Sequence, residues 1–404
     1  MISKKRLKRS KIASTQLSSG SETWKPHKYQ KRCVKFLLEH AAAGLFADPG
    51  TGKTSIILAT FKLLKKLKVA DRMLIIAPLR PAQLVWPAEL KKWSDFHGLK
   101  MCVLHGPEKD ELLSQDFDIY VINPEGLEWL LDIQKTKSST GKTKIFVDVT
   151  RFVSLGFDTL VIDELTKFKH INTNRFKALK MVLPTFGRRW GLTGSPAANG
   201  LLDLFGQCYV LDMGNALGPY ITHYRLKYFN ESYDGFSWTL KEGADKLIFD
   251  RIKPLVLRIA GKDYLDLPAM ISNTIQVDLP PMARKVYDAL EKDLLAKLED
   301  RTIVASNAAV ASGKCRKVAG GAVYVDPEIK SLVKNLSLDR EALELHSAKV
   351  DALADLVEDL QGRPLLVAYE FKHELERLQA KFGKDVPYIG GGVSTKKAQL
   401  YEAQ

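Results

Sequence analysis

The run Ala-Asp-Pro-Gly-Thr-Gly-Lys-Thr at residues 47–54 constrains the fold more than any other stretch of this 404-residue chain. An apolar segment, GLFAD at 44–48, precedes it, and an amphipathic segment, 53–68, follows it. Gly50 and Gly52 let the backbone curl so that successive N–H groups face one point. A helix opening near Lys53 adds the positive end of its dipole. Such a loop between a buried strand and a helix cradles phosphate groups. Lys53 would reach the β- and γ-phosphates, and the Thr54 hydroxyl would ligate Mg2+. Nucleotide contacts are therefore expected from Asp48, Pro49, Gly50, Thr51, Gly52, Lys53, Thr54 and Ser55. Ala47 stands where the common pattern has its first glycine, and it is small enough to leave room. A second Gly-Lys-Thr, at 141–143, has no strand before it and no upstream glycines, and reads as a basic loop in a surface insertion over 134–147.

A loop of this kind implies a parallel sheet, and the rest of the first half agrees. MLIIA (73–77), DIYVI (118–122), DTLVID (158–163) and RWGLT (189–193) read as short buried strands. Amphipathic segments at 28–41, 81–93 and 174–182 lie between several of them. Buried strands separated by helices predict an α/β fold with a parallel sheet covered on both faces. A second alternating block begins near Met270. ISNTIQVDL (271–279) and PLLVAY (364–369) read as strands, and 282–300, 349–360 and 371–382 as helices. The Ala/Gly-rich stretch 305–322 has weak periodicity and takes no assignment. The expected organisation is a flexible basic arm over 1–22, a first lobe over 23–268 and a second, partial lobe over 269–404.

Two further boxes give the loop its chemistry. LVIDE ends a buried strand at 160–164, about 110 residues after the loop. An aspartate there can hold Mg2+ and the adjacent glutamate can orient a water, which is the placement phosphoryl transfer needs. Asp163 and Glu164 are thus expected to be catalytic together with Lys53, and Thr54 and Asp163 to hold the metal. WGLTGSPAAN at 190–199 is again a strand running into a turn. The hydroxyls of Thr193 and Ser195, flanking Gly194, could bond to Glu164 and sense the γ-phosphate; Ser195 could also cap a helix beginning at Pro196.

Charge points to the partner. With 61 Lys+Arg against 47 Asp+Glu, the net charge is +14, and a polyanion such as nucleic acid is the natural ligand. The arm carries six cations in its first twelve residues and would either track phosphates or stay a solvated tail. No stretch approaches the roughly 20 apolar residues of a bilayer span, and no apolar signal core follows the basic start, so a cytoplasmic protein is expected. Cys33, Cys102, Cys208 and Cys315 lie too far apart for a zinc cluster or a disulfide framework.

The order KPHKYQKRCVKFLLE (25–39), ADPGTGKT, LIIAPLRPAQLVWPAELKKW (74–93), IDELTKFKH (162–170) and GLTGSPAANGLLDLF (191–205) resembles the superfamily 2 helicase-like ATPases. The Swi/Snf branch, which translocates on duplex DNA, is the most similar. PLVLRIAGKDYLDLPAMISNTIQVDLPPMARKVYDAL (254–290) looks like that branch's passage between lobes, and 347–378 like the opening of its second core. The resemblance implies two RecA-like lobes, ATP and Mg2+ as cofactors and double-stranded DNA as partner; the oligomeric state is open, with a monomer favoured. It makes Gln30 the adenine reader, has Thr193, Gly194 and Ser195 couple hydrolysis to motion, and sets Pro78, Arg80, Asn123 and Lys169 along the nucleic-acid backbone. Leu165 and Thr166 depart from the usual Ala/Ser-His that follows the Asp-Glu pair. The sequence stops at Gln404 before the family's Gly-rich and Arg-rich motifs, so the expectation is a shortened product with an incomplete second lobe and slow turnover, unless Arg258 supplies the missing charge. A strand-separating DNA or RNA helicase, a small-molecule kinase and a nucleotide- and DNA-binding module with little turnover are the competing readings.

Overall fold

The computed structural model describes residues 22–137, 143–232, 237–264, 271–299, 305–324, 342–390, 393 and 395–402. The arm over 1–21, most of the second Gly-Lys-Thr loop and the Leu-Pro of the inter-lobe passage lie outside the described residues. Two compact units emerge, Met1–Pro268 and Ala269–Gln404.

In the first unit, seven strands form one parallel sheet. In chain order they are β1 (Ala42–Ala47), β2 (Met73–Ile76), β3 (Met101–Val103), β4 (Ile119–Ile122), β7 (Thr159–Asp163), β8 (Arg188–Thr193) and β11 (Val256–Ile259). Between β4 and β7 the insertion folds as an antiparallel hairpin, β5 (Gln134–Lys137) with β6 (Thr143–Phe146). β9 (Phe229–Glu231) and β10 (Trp238–Leu240) make a second small pair. Across the sheet the order is β11-β1-β8-β7-β2-β4-β3. All five predicted strands are present within two residues of their expected ends. The two that sequence reading missed, β3 and β11, are short and lie at the sheet's edges, where the pattern is too brief to register.

Strand residues alternate between two cores, as a side-chain period of two requires when both faces are covered. Met73, Ile75, Ile119, Val121 and Val161 pack with α1 (Lys28–Glu39), α2 (Lys53–Lys66) and α3 (Trp86–Lys92). Leu74, Ile76, Tyr120, Ile122, Leu160 and Ile162 pack with helices Asn174–Val182 and Leu204–Asp212 on the other face. A tight approach fixes the second layer: a Cβ on Gly206 would lie 2.5 Å from the Phe168 carbonyl oxygen and 2.6 Å from that of Lys169. Backbone cannot yield as a side chain can. Gly206→Ala should therefore lower unfolding stability by about 1–3 kcal/mol, the range for overpacking, as read by denaturant titration.

Glu22, assigned to the arm, instead anchors the start of the described chain. Its N–H donates to Lys92 O at 3.2 Å and its carbonyl accepts from Ser94 N at 2.9 Å.

The second unit contains helices Pro281–Glu299, Ala305–Gly320, Ala348–Asp359, Lys372–Phe382 and Thr395–Glu402, and one antiparallel pair, β12 (Ala322–Tyr324) with β13 (Ala342–Glu344). Val286, Leu290, Cys315, Val318, Val323 and Leu343 form its core. The unassigned stretch at 305 is helical because alanine favours helix without contributing periodicity. The predicted strands at 271–279 and 364–369 are corrected. Both segments run without strand pairing, and Ile271 and Leu366 are 84% and 96% exposed. An apolar run becomes a strand only where a neighbour takes up its N–H and C=O groups, and among the described residues no strand pairs with either.

Candidate nucleotide site

In an open parallel sheet, ligands bind beyond the carboxyl ends of the strands. Here those ends carry the glycine-rich loop, the TGS box and the Asp-Glu pair. Parallel pairing brings the ends together, with Ala47 opposite Ile259, Phe46 opposite Thr193, and Asp163 opposite Leu192. The loop after β1 thus lies beside the TGS box after β8, which lies beside the Asp-Glu pair after β7.

The loop is shaped by local forces. Gly50 and Gly52 have φ of +80° and +75°, the left-handed region that glycine enters freely. Gly52 also lies close to Gln30, whose Nε2 would be 2.5 Å from a Cβ at this position and would have to shift. Thr51 Oγ1 donates to Asp48 O at 2.7 Å, and Ser55 Oγ to Gly52 O at 2.9 Å. Lys53 opens α2, folding back so that Nζ donates to Ala47 O at 2.8 Å and Asp48 O at 3.2 Å. Thr54 follows, half-buried. Burial pulls the Lys53 pKa below the usual lysine value, opposed by the carboxylates of Asp163, Glu164 and Asp48. The ammonium therefore sits in a partly dry, acid-lined position that an anionic ligand would relieve.

α1 buttresses this loop. Gln30 is buried; its Oε1 accepts from His27 N at 2.9 Å and its Nε2 donates to Thr51 O at 3.1 Å. One amide hydrogen and one lone pair are left for a ligand. Tyr29 OH donates to the same Thr51 carbonyl at 3.1 Å, and its ring meets His27 at 5.6 Å and Tyr264 at 5.0 Å between centroids. Sequence reading missed this aromatic group, since Tyr264 is 235 residues from Tyr29 in the numbering.

Asp163 closes β7. Burial, together with repulsion from Glu164, raises its pKa above the ordinary aspartate value; the Trp86 hydrogen bond and Lys53 oppose the rise. Glu164 adopts φ +59° and ψ +64°. A non-glycine residue there costs roughly 1–2 kcal/mol, and such outliers concentrate at functional sites. Strain turns the chain out of the sheet immediately after Asp163. Among the described residues no cluster of three or more His, Cys, Asp or Glu could cage a metal. The donor set is one aspartate with a nearby threonine hydroxyl, which suits Mg2+ held mainly by phosphates and water.

Two expected placements differ. No hydrogen bond joins Glu164 to Thr193 or Ser195 among the described residues; the buried Thr193 accepts from Ser195 N at 3.3 Å. Ser195 caps no helix, because Pro196–Asn199 make a turn and the next helix starts at Leu204. The Asp48 carboxylate accepts from Gly261 N at 2.8 Å, tying the loop to the end of β11. Gly194 packs on the loop, where a Cβ would come within 3.2 Å of Pro49 Cδ. Arg258 is exposed on β11 and lines a cleft of about 940 Å3 with Asp48, Gly194 and Ser195.

Over residues 29–318, well over half its length, the sequence matches the SNF2-related domain. The chain belongs to the SNF2-related family. Protein p41 of Acyrthosiphon pisum secondary endosymbiont phage 1 is 32% identical over 379 residues, covering 90% of this chain and 76% of that protein. An uncharacterized ATP-dependent helicase of Mycoplasma pneumoniae is 29% identical over 269 residues, covering 64% of this chain and only 23% of its own length. The SWI2/SNF2 ATPase core of Sulfolobus solfataricus in complex with dsDNA aligns at TM-score 0.48 and 20% identity, over 94% of this chain and 75% of that one. Membership in the Swi/Snf-type helicase-like ATPases is what the motif order implied.

The residues this SNF2-related chain was expected to set along nucleic acid are all at or beyond strand ends. Pro78 and Arg80 follow β2 and are half-buried. Asn123 follows β4, its Nδ2 donating to Glu125 Oε2 at 2.8 Å. Lys169 pairs with Asp203 at 2.9 Å, both side chains mostly covered, so that its charge is matched within the protein. No helix among the described residues is long and apolar enough to cross a membrane.

Proposed function

We propose that the chain is a DNA-dependent ATPase that couples ATP hydrolysis to movement along duplex DNA. The observation that carries this reading is the gathering of Lys53, Asp163, Glu164 and the TGS box at adjacent strand ends of one parallel sheet, in a chain of the SNF2-related family. In this reading the loop N–H groups and Lys53 hold the phosphates, and Thr54 and Asp163 hold Mg2+. Glu164 orients the attacking water, and Gln30 reads the adenine edge with its remaining donor and acceptor. Held by Thr54 and Asp163, the cation would supply positive charge against that developing during transfer. Gly194 packs against the loop at Pro49, and in this reading Thr193, Gly194 and Ser195 couple hydrolysis to motion. Pro78, Arg80 and Asn123 contact the phosphate backbone.

The Mycoplasma relative is an ATP-dependent helicase by name, which agrees with a nucleic-acid partner, as does the net charge of +14. Phosphate release from ATP, measured with and without duplex DNA, tests the reading. Turnover that is slow but raised by duplex DNA, without displacement of a labelled strand, is expected. Stimulation by a small-molecule acceptor instead of DNA would overturn it, and strand displacement would replace translocation by unwinding.

A further inference from the structure

Trp86 does not belong to any of the three motif boxes, yet it touches the most sensitive of them. Its side chain is fully buried, and Nε1 donates to Asp163 Oδ2 at 3.0 Å. Among the described residues no other side chain donates a hydrogen bond to that carboxylate. An aspartate's terminal torsion is broad and nearly two-fold, and besides the indole only the adjacent Glu164 N–H, among the described residues, restrains this carboxylate's orientations. A donor that cannot move selects one of them.

Trp86 is such a donor. It begins α3, and its backbone N–H reaches back to Pro81 O, closing a wide π-type turn over Pro81–Val85. Turns of that type appear frequently at functional sites. The fully buried ring belongs to the same core cluster as Ile56 and Phe61 of α2 and Ile75 of β2. Seventy-seven residues of sequence separate donor from acceptor, so the bond exists only because the β2 and β7 ends are neighbours.

We propose that Trp86 is a positioning residue for the metal site: its indole N–H fixes Asp163 through Oδ2 and leaves Oδ1 as the oxygen available to a divalent cation. This rests on the reading of Asp163 as the metal-holding carboxylate. A competing role is purely structural, since a buried indole N–H needs a partner in any case. The two differ in what the metal does. Groups that hydrogen-bond a metal's ligands typically contribute 10–100-fold to metal affinity or activity, whereas a bond that only satisfies the indole would leave metal dependence alone.

The test uses the full chain and a fluorescent ATP analogue, titrated in EDTA and at increasing Mg2+. Trp86→Phe removes the donor and keeps an aromatic ring. Trp86→β-(3-benzothienyl)alanine, with sulfur in place of the N–H, keeps the full shape and decides the matter if the phenylalanine variant unfolds. Asp163→Asn is the reference. The expected result is unchanged binding in EDTA, with Mg2+ required at roughly tenfold higher concentration in both Trp86 variants and at higher concentration still in Asp163→Asn. Wild-type Mg2+ dependence in the benzothienyl variant, alongside a shifted Asp163→Asn, would overturn the role of Trp86 alone. Wild-type Mg2+ dependence in Asp163→Asn would overturn the metal reading and this proposal with it.

Discussion

Lys53→Ala should lose nucleotide binding, while Glu164→Gln should bind nucleotide normally and fail to turn it over. Lys53 is the cation that α2 and the loop bring among three carboxylates in a partly dry position. Removing one partner of a buried, hydrogen-bonded charge pair costs about 2–5 kcal/mol, which is roughly 30-fold to several thousandfold in affinity. The loss is larger than the charge alone suggests, because the phosphates would then face Asp163 and Glu164 without compensation. Glu164 makes no comparable contact with the loop. In the proposed reading it orients and deprotonates water, so its amide should leave affinity intact and slow hydrolysis by about 10²–10⁴. Equilibrium titration and phosphate release on the same preparations separate the two. Normal Mg-ATP binding by Lys53→Ala would remove the loop from the site altogether.

Affinity for duplex DNA should collapse with salt and barely respond to sequence. The chain carries a net charge of +14, and a motor that steps along DNA must grip phosphates rather than base edges. Neutralising six or more phosphates releases their counterions, so binding should weaken by about 10³-fold between 50 and 200 mM salt. Fluorescence anisotropy on two duplexes of unrelated sequence would measure both properties. A flat salt response would leave the basic composition as mere solubility. Within that response Lys169→Ala should change little, because Asp203 already neutralises Lys169. That outcome would distinguish a lysine that stabilises the turn after Glu164 from one that holds DNA.

The site was legible in outline because its signals are local. A strand, two glycines, a lysine and a helix start within a dozen residues define a phosphate loop by backbone geometry alone, and the structure has Gly50 and Gly52 at positive φ as that geometry demands. The same holds for the five predicted strands, whose apolar runs satisfy two cores at once. Where the signal needed a partner, it failed. The apolar runs at 271–279 and 364–369 have strand composition but no pairing neighbour among the described residues, and β11 is a strand only because β1 pairs with it, Gly44 opposite Val256.

By itself, then, the sequence determined the parallel sheet of the first unit, the glycine-rich loop after β1, the Asp163–Glu164 pair at the end of β7 and membership of a helicase-like family. Each follows from residues close in the chain, where glycine freedom, strand period and helix dipole act without distant help. Tertiary structure alone decided how those residues are held. Asp163 is oriented by an indole 77 residues upstream, and Lys169 is neutralised by an aspartate 34 residues downstream. Asp48 is fixed by the N–H of Gly261, 213 residues away. Glu164 is forced into a left-handed conformation that its residue type does not favour. Such contacts depend on which strand ends become neighbours, and a linear pattern does not encode that choice.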